Sequence, residues 1–331
     1  MYKIKTLPED FVVTEVLSLR LEKGPYSYYL LTKRCLNTLD AIRIVSEKIG
    51  VSEKLINFAG IKDKDAVTHQ YISIKGGPKK DFHFGRIHLA YLGDGGERLS
   101  IGCLEGNHFD IKVRNIKTIP KKIKRFVNFF DEQRFGVQRR NPFIGRMLLK
   151  REFKAVISEL ADKGANEHIS KNPNDFLGAI RKVQKWKLQL YLHSYQSFLW
   201  NLAAVEYLRN SRNKTKKNMY NIDIVIPGFG MNLDGEEGAA VAKVLSQQKI
   251  TEAEFILREL PELLLEAGKR KLFAEVQNLS IGELEPDELH PGMKKIKLSF
   301  FLSRGSYATM AVKHMFNSIE HFVPSNYDVQ V

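Results

Sequence analysis

The chain has 331 residues, 43% hydrophobic and 10% aromatic, a composition that fills real cores, excludes a disordered class and leaves room for two domains. Its 52 Lys and Arg outweigh 38 Asp and Glu, a formal charge of +14, and such a field draws polyanions, nucleic acid first. Two cysteines, Cys35 and Cys103, cannot build a disulfide framework and fit a reducing compartment; an N-terminus charged within five residues and the lack of any long apolar run predict no membrane span and a cytoplasmic location.

In chain order, DFVVTEVLSLRL and YSYYLL alternate and are β-branched or aromatic, and Gly24-Pro25 between them predicts two strands and a turn. Residues 38 to 49 have helical spacing, with Thr38 placed to cap and Gly50 to end the helix. YISIK (71 to 75), RIHLAYL (86 to 92) and HFDIKV (108 to 113) read as strands, so this part is α+β with antiparallel pairing. Pro120 is read as opening a helix on which Ile123, Phe126, Val127 and Phe130 share a face. From about 150 to 270 the texture is helical: one helix carries Phe153, Val156, Ile157 and Leu160, a long second runs from Leu188 past Leu202, and a third starts at Thr251 with a capping box. RNSRNKTKKN (209 to 218) is a basic loop, and the closing stretches KIKLSFFL and SYATMAV return to strand texture. The expected organisation is a largely helical insertion within an α+β domain.

Chemistry is sought first in GIKDKDAVTHQ, residues 60 to 70. The spacing of Asp63 and Asp65 suggests a calcium loop, but Val67 and Thr68 stand where a further acid and a glycine are needed. Paired acid/base work is disfavoured as well, leaving one aspartate as the better candidate. The nine histidines lack metal-ligand spacing, and neither a phosphate-binding glycine motif nor a serine elbow occurs, so no metal and no cofactor are expected. In KKIKRFVNFFDEQRFGVQRRNPFIGR, residues 121 to 146, basic and aromatic side chains interleave, which suits either a core helix with a basic face or a groove where phosphates pair and bases stack.

Five stretches in the same order then resemble one family. GIKDKDAVTHQ fits G-x-K-D-x-x-A-x-T-x-Q, PEDFVVTEV (8 to 16) fits P-x-D-F-x-V-x-E, and NFFDEQRFG (128 to 136) is similar to N-Y-F-G-x-Q-R-F-G. SYQSFLWN (194 to 201) and FFLSRGSYATMAVK (300 to 313) complete the set. Together they resemble the tRNA pseudouridine synthase D (TruD) family, which has eukaryotic relatives called pseudouridine synthase seven. The resemblance implies an α+β catalytic domain with a mainly antiparallel mixed sheet and flanking helices, residues 1 to 148 and 281 to 331, interrupted by an α/β TRUD insertion domain at 149 to 280, with RNA between them.

It also implies an isomerase that turns a uridine of tRNA, at position thirteen by the family's habit, into pseudouridine by flipping the base and using one carboxylate. That role falls on Asp63, with Lys62 its electrostatic partner and Thr68 and Gln70 shaping the loop. Phe130 contacts the target base or its neighbour, Asn128 hydrogen-bonds near Asp63, and Gly305 and Ser306 bring backbone close. Arg134, Arg139, Arg140 and the loop lysines Lys214, Lys216 and Lys217 are candidates for phosphates. A lone carboxylate can attack C1′ or remove the 2′ proton, and the reaction needs no cofactor. The sequence departs from the family pattern at Phe129, Asp131, Ser303 and Lys313, and an exposed Asp131 repels phosphate. A non-catalytic RNA-binding protein of the same fold, an RNA chaperone for instance, is the alternative; tRNA is the expected partner and no protein partner is evident.

Overall fold

The computed structural model describes residues 2–211 and 219–316. They form two compact units: the first runs to Phe126 and resumes at Ala274, and the second spans Val127–Phe273. The dividing points therefore lie at 126/127 and 273/274, where 148/149 and 280/281 were expected, because residues 127–148 carry a helix that packs on the second unit's long central helix.

The first unit is built on strands β1 (Phe11–Val16), β2 (Tyr26–Arg34), β3 (Ile56–Phe58), β4 (Val67–Lys75), β5 (Phe82–Phe84), β6 (Ile87–Gly95) and β7 (Gly106–Ile116), with helix α1 (Thr38–Ile49) between β2 and β3. Beyond β8 (Arg125–Val127), the helices α2 (Asn141–Leu149), α3 (Phe153–Glu159), α4 (Lys163–Lys171), α5 (Phe176–Ile180) and α6 (Lys185–Asn210), strand β9 (Asp223–Ile226), helix α7 (Gly235–Gln247) and strand β10 (Gly268–Lys271) make the second. The chain returns through β11 (Phe273–Glu275), which pairs with β8, to β12 (Gln277–Ile281), β13 (Glu285–Pro286), β14 (Lys294–Ser303) and α8 (Ala308–Phe316).

Ten strands share one sheet in the order β12-β14-β7-β1-β4-β2-β6-β5, with β3 added on β4 and β13 on β14. Every pairing in it is antiparallel except β1 with β4. Alternation sends Tyr29, Leu31, Ile72, Ile74, Ile87 and Leu89 to one face, where Ala41, Ile42 and Val45 of α1 cover them. In α1 the cap is Asn37, whose side-chain oxygen accepts from Asp40 N, and Gly50 ends the helix at φ 70°. Thr38 is not the cap, because its hydroxyl is engaged elsewhere, as described below.

Three other expectations are corrected. Residues 120 to 130 form no helix: Phe126 lies in the short strand β8, and the next amide, Asn128 N, donates to Leu272 O rather than back along its own segment. SYATMAV is not a strand, since Ala308 onward belongs to α8, whose mostly buried Ala, Met and Val suit a core helix as well as a strand. The capping box at Thr251 is present, but it closes only a 3-10 turn, Glu252–Phe255.

In the second unit α6 is buried along most of its length, from Leu188 through Trp200 to Tyr207. A helix buried around most of its circumference needs neighbours on most sides. Helices α2 and α7 and strand β9 supply them, and Gly145 of α2 sits so close that a Cβ there would meet Tyr191 O at 2.1 Å.

Candidate active site

The β3–β4 loop carries the G-x-K-D motif, and its geometry begins with β1. Alternation puts Glu15 on the same inward face as Phe11 and Val13, so a carboxylate with 0% side-chain exposure needs a partner. Lys62 Nζ meets Glu15 Oε1 at 2.5 Å, and Tyr71 N donates to Oε2 at 2.9 Å. The backbone of Lys62 is held too: its N–H donates to Thr38 Oγ1 at 2.9 Å. That hydroxyl donates on to Gln70 Oε1 at 3.0 Å, and Gln70 Nε2 closes the circuit on Gly60 O at 3.1 Å. Gln70 thus shapes the loop, whereas the buried hydroxyl of Thr68 has no hydrogen-bond partner among the described residues.

Lys62 is therefore not the electrostatic partner of Asp63; its ammonium is spent on Glu15. The cation on Asp63 is Lys5, whose Nζ lies 2.9 Å from Oδ2, with side-chain exposures of 14% and 38%. Lys5 also sits over the ring of Phe11, 4.3 Å from its centroid. The turn between Lys5 and β1 is fixed by Asp10, which accepts from Leu7 N at 2.9 Å and is gripped by both Nε and Nη2 of the buried Arg114. Arg114 extends the same grip to Asp287, at 2.9 Å. Burial pushes the Asp287 carboxyl up, but donors outweigh it: the amides of Asn115 and Leu289, His290 and Arg114 leave it well below the usual range.

From β2, Lys33 reaches under the loop and donates to Asp63 O at 2.8 Å and to Leu36 O at 2.6 Å. Burial lowers its ammonium to about 8, with Asp63 opposing and Lys62 reinforcing the shift. The backbone of Asp63 is thus pinned, one carboxylate oxygen is paired, and the other, Oδ1, accepts no hydrogen bond among the described residues. A half-exposed carboxylate with one oxygen free can act as nucleophile or base. Asp65 points to solvent. Gly305, at φ 81°, and Ser306 follow β14 on a loop tied to this one through Gly102: Arg304 Nη1 donates to Gly102 O, and Gly102 N to Ala59 O.

In the second unit, Asn128 is buried and engaged by Arg270, whose Nε and Nη2 donate to Asn128 O and Oδ1, both at 2.8 Å. Asn128 Nδ2 donates to Lys271 O. Phe130 is half-buried, with Trp200 edge-on at 5.6 Å and the Arg270 guanidinium 4.0 Å above its ring. Asn201 ties down its backbone, accepting from Phe130 N and donating to Phe130 O. Asp131 is buried and caps the turn at Glu132 instead of facing solvent, so the repulsion expected of an exposed acid does not arise. Arg134 donates to Ser197, while the exposed Arg139 and Arg140 pair with Glu132 and Glu159. Lys214, Lys216 and Lys217 lie outside the described residues. Among the described residues no cluster of His, Cys, Asp and Glu is arranged to hold a metal ion, and no helix is long and apolar enough to cross a membrane.

Sequence reasoning missed Lys5, Lys33, Glu15 and Arg270. Only Glu15 left a usable signal, an acid in register with two inward apolar residues of an alternating strand.

A family described as tRNA pseudouridine synthase D (TruD) matches residues 2–168 and 202–315. The tRNA pseudouridine synthase D of Aquifex aeolicus is 31% identical, over 96% of this chain and 98% of its own length. A Nanoarchaeum equitans protein named "Probable tRNA pseudouridine synthase D" is 29% identical over 95% and 98%. The fold is similar to that of a Methanosarcina mazei chain described as TruD, with a TM-score of 0.73 at 24% identity over 95% of this chain and 93% of that one. Five ordered motifs, the loop built around Asp63 and a match over most of the length agree: the chain belongs to the tRNA pseudouridine synthase D family of isomerases.

Proposed function

We propose that the protein converts a uridine of tRNA, position thirteen by the family's habit, to pseudouridine, with Asp63 as the catalytic carboxylate. The observation that carries this reading is the state of Asp63: backbone clamped by Lys33, one oxygen on Lys5, the other open on a half-exposed side chain. The bond from N1 to C1′ breaks, the uracil turns while retained, and C5 rejoins C1′; C5 then gives up its proton and N1 gains one, so product and substrate have the same atoms and no oxidant or reductant is needed. Asp63 starts this by attacking C1′ or by taking the 2′ proton. A base taken from a folded RNA is held by stacking, the role for Phe130, with Asn128 offering polar contact. Half-exposed Arg134, the exposed Arg139 and Arg140, and Lys214, Lys216 and Lys217 draw the phosphates. The segment interrupting the sheet-bearing unit corresponds to the TRUD insertion domain, with cytoplasmic tRNA as partner.

The test is site-resolved pseudouridine mapping on total tRNA incubated with the protein and with Asp63→Asn. A new pseudouridine at one position with the former, absent with the latter while tRNA still binds, is the expected result. Binding by both without pseudouridine from either would favour the RNA-binding alternative.

A further inference from the structure

We propose that Arg270 is a positioning residue for this reaction, a guanidinium clamp that sets Asn128 and Phe130 for the RNA base they receive. The inference rests on the function proposed above and assigns the second unit a residue that no motif singled out.

Three contacts by one planar group carry it. The fork formed by Nε and Nη2 takes both oxygens of Asn128, main-chain and side-chain, at 2.8 Å each. Pinning Oδ1 turns the amide nitrogen the other way, toward Lys271 O at 3.3 Å, so the amide has one orientation. The carbon of the same guanidinium lies over Phe130, 4.0 Å from the ring centroid, and 5.3 Å from that of Trp200. With Trp200 perpendicular to Phe130 and Asn201 holding both backbone groups of residue 130, the ring plane is fixed before any ligand arrives.

Arg270 comes from β10, whose register with β9 pairs Arg270 with Ile224, and Ile224 O accepts the indole N–H of Trp200 at 3.1 Å. The strand thus sets the arginine and the tryptophan together. Lysine cannot reproduce this, since a point ammonium has neither the fork for two oxygens nor a flat face for the ring. A base stacked on a ring of fixed orientation presents its C1′ at one place, and a misplaced reacting group costs rate more than affinity.

The experiment compares wild type, Arg270→Lys, Arg270→Met and Asp63→Asn on the tRNA carrying the mapped uridine, measuring kcat, KM and thermal unfolding. The expected result is a fall of roughly 100-fold in kcat for both Arg270 variants, with KM nearly unchanged and lysine giving no rescue. A loss confined to KM, or wild-type activity in Arg270→Lys, would overturn the inference and make Arg270 a plain phosphate contact. If Arg270→Met shows no cooperative unfolding, Arg270→Lys decides. Absence of product from wild type, or product that survives Asp63→Asn, overturns the functional reading and this inference with it; failure of Arg270 alone leaves an active, Asp63-dependent wild type.

Discussion

Replacing Lys62 with methionine removes the cation from Glu15 while keeping a side chain of similar length. The carboxylate left behind has 0% exposure and retains one donor, Tyr71 N. Leaving one buried charge unpaired costs about 3–5 kcal/mol, because the desolvation of the survivor is no longer offset. For a unit of this size that lowers Tm by roughly 6–20 °C. The assay is thermal and urea unfolding of wild type, Lys62→Met, Glu15→Gln and the double variant. Glu15→Gln/Lys62→Met should recover most of the loss of Lys62→Met, since no charge remains to be buried. A cost below about 1 kcal/mol for Lys62→Met, the range of a solvated surface pair, would refute the reasoning and show that water reaches Glu15.

Lys33, lowered in the folded chain to about 8 from its ordinary 10.5, makes the unfolded chain the greater proton binder between those values, so wild-type stability gains a rising contribution across that window. Lys33→Met should lack this slope when urea midpoints are compared from pH 7 to pH 11; parallel curves would show that Lys33 is solvated. Asp287, held below the usual carboxylate range, contributes stability that is full above about pH 4 and is lost as pH falls through its folded value. Asp287→Asn should therefore cost about 3 kcal/mol at pH 7, and the gap to wild type should close in acid denaturation. An equal gap at pH 7 and pH 2 would mean that shape, and not charge, is what asparagine disturbs.

The motif residues that sit on regular elements were legible, and those whose role depends on long-range partners were not. Strands β2, β6 and β14 and helices α1, α3 and α6 follow from period and end signals, because alternation and helical spacing are local. SYATMAV is small and apolar throughout, so periodicity could not separate strand from buried helix. Asp63 was singled out only through the resemblance of its motif, and the cation that pairs with it could not be named at all. Lys5 lies 58 residues upstream, and the adjacent Lys62, the obvious choice, is diverted by a glutamate 47 residues away. Arg270 stands 142 residues from Asn128 in an exposed-looking GKRK strand, where nothing local distinguishes a clamp from a solvated charge.

The sheet's strand order has a consequence for the growing chain. Strand β7 lies between β1 and β14, and one of its two partners is made within the first sixteen residues while the other begins at Lys294. At ribosomal speeds of about 5–20 residues per second, one edge of β7 waits roughly 10–35 s for its neighbour while the whole second unit is synthesised. An eleven-residue strand with Phe109, Ile111 and Val113 on one face is an adhesive edge during that interval. The residues around Asp63, all drawn from the first 71, can meet early; the sheet that steadies them is sealed only after β14 has emerged behind the whole second unit.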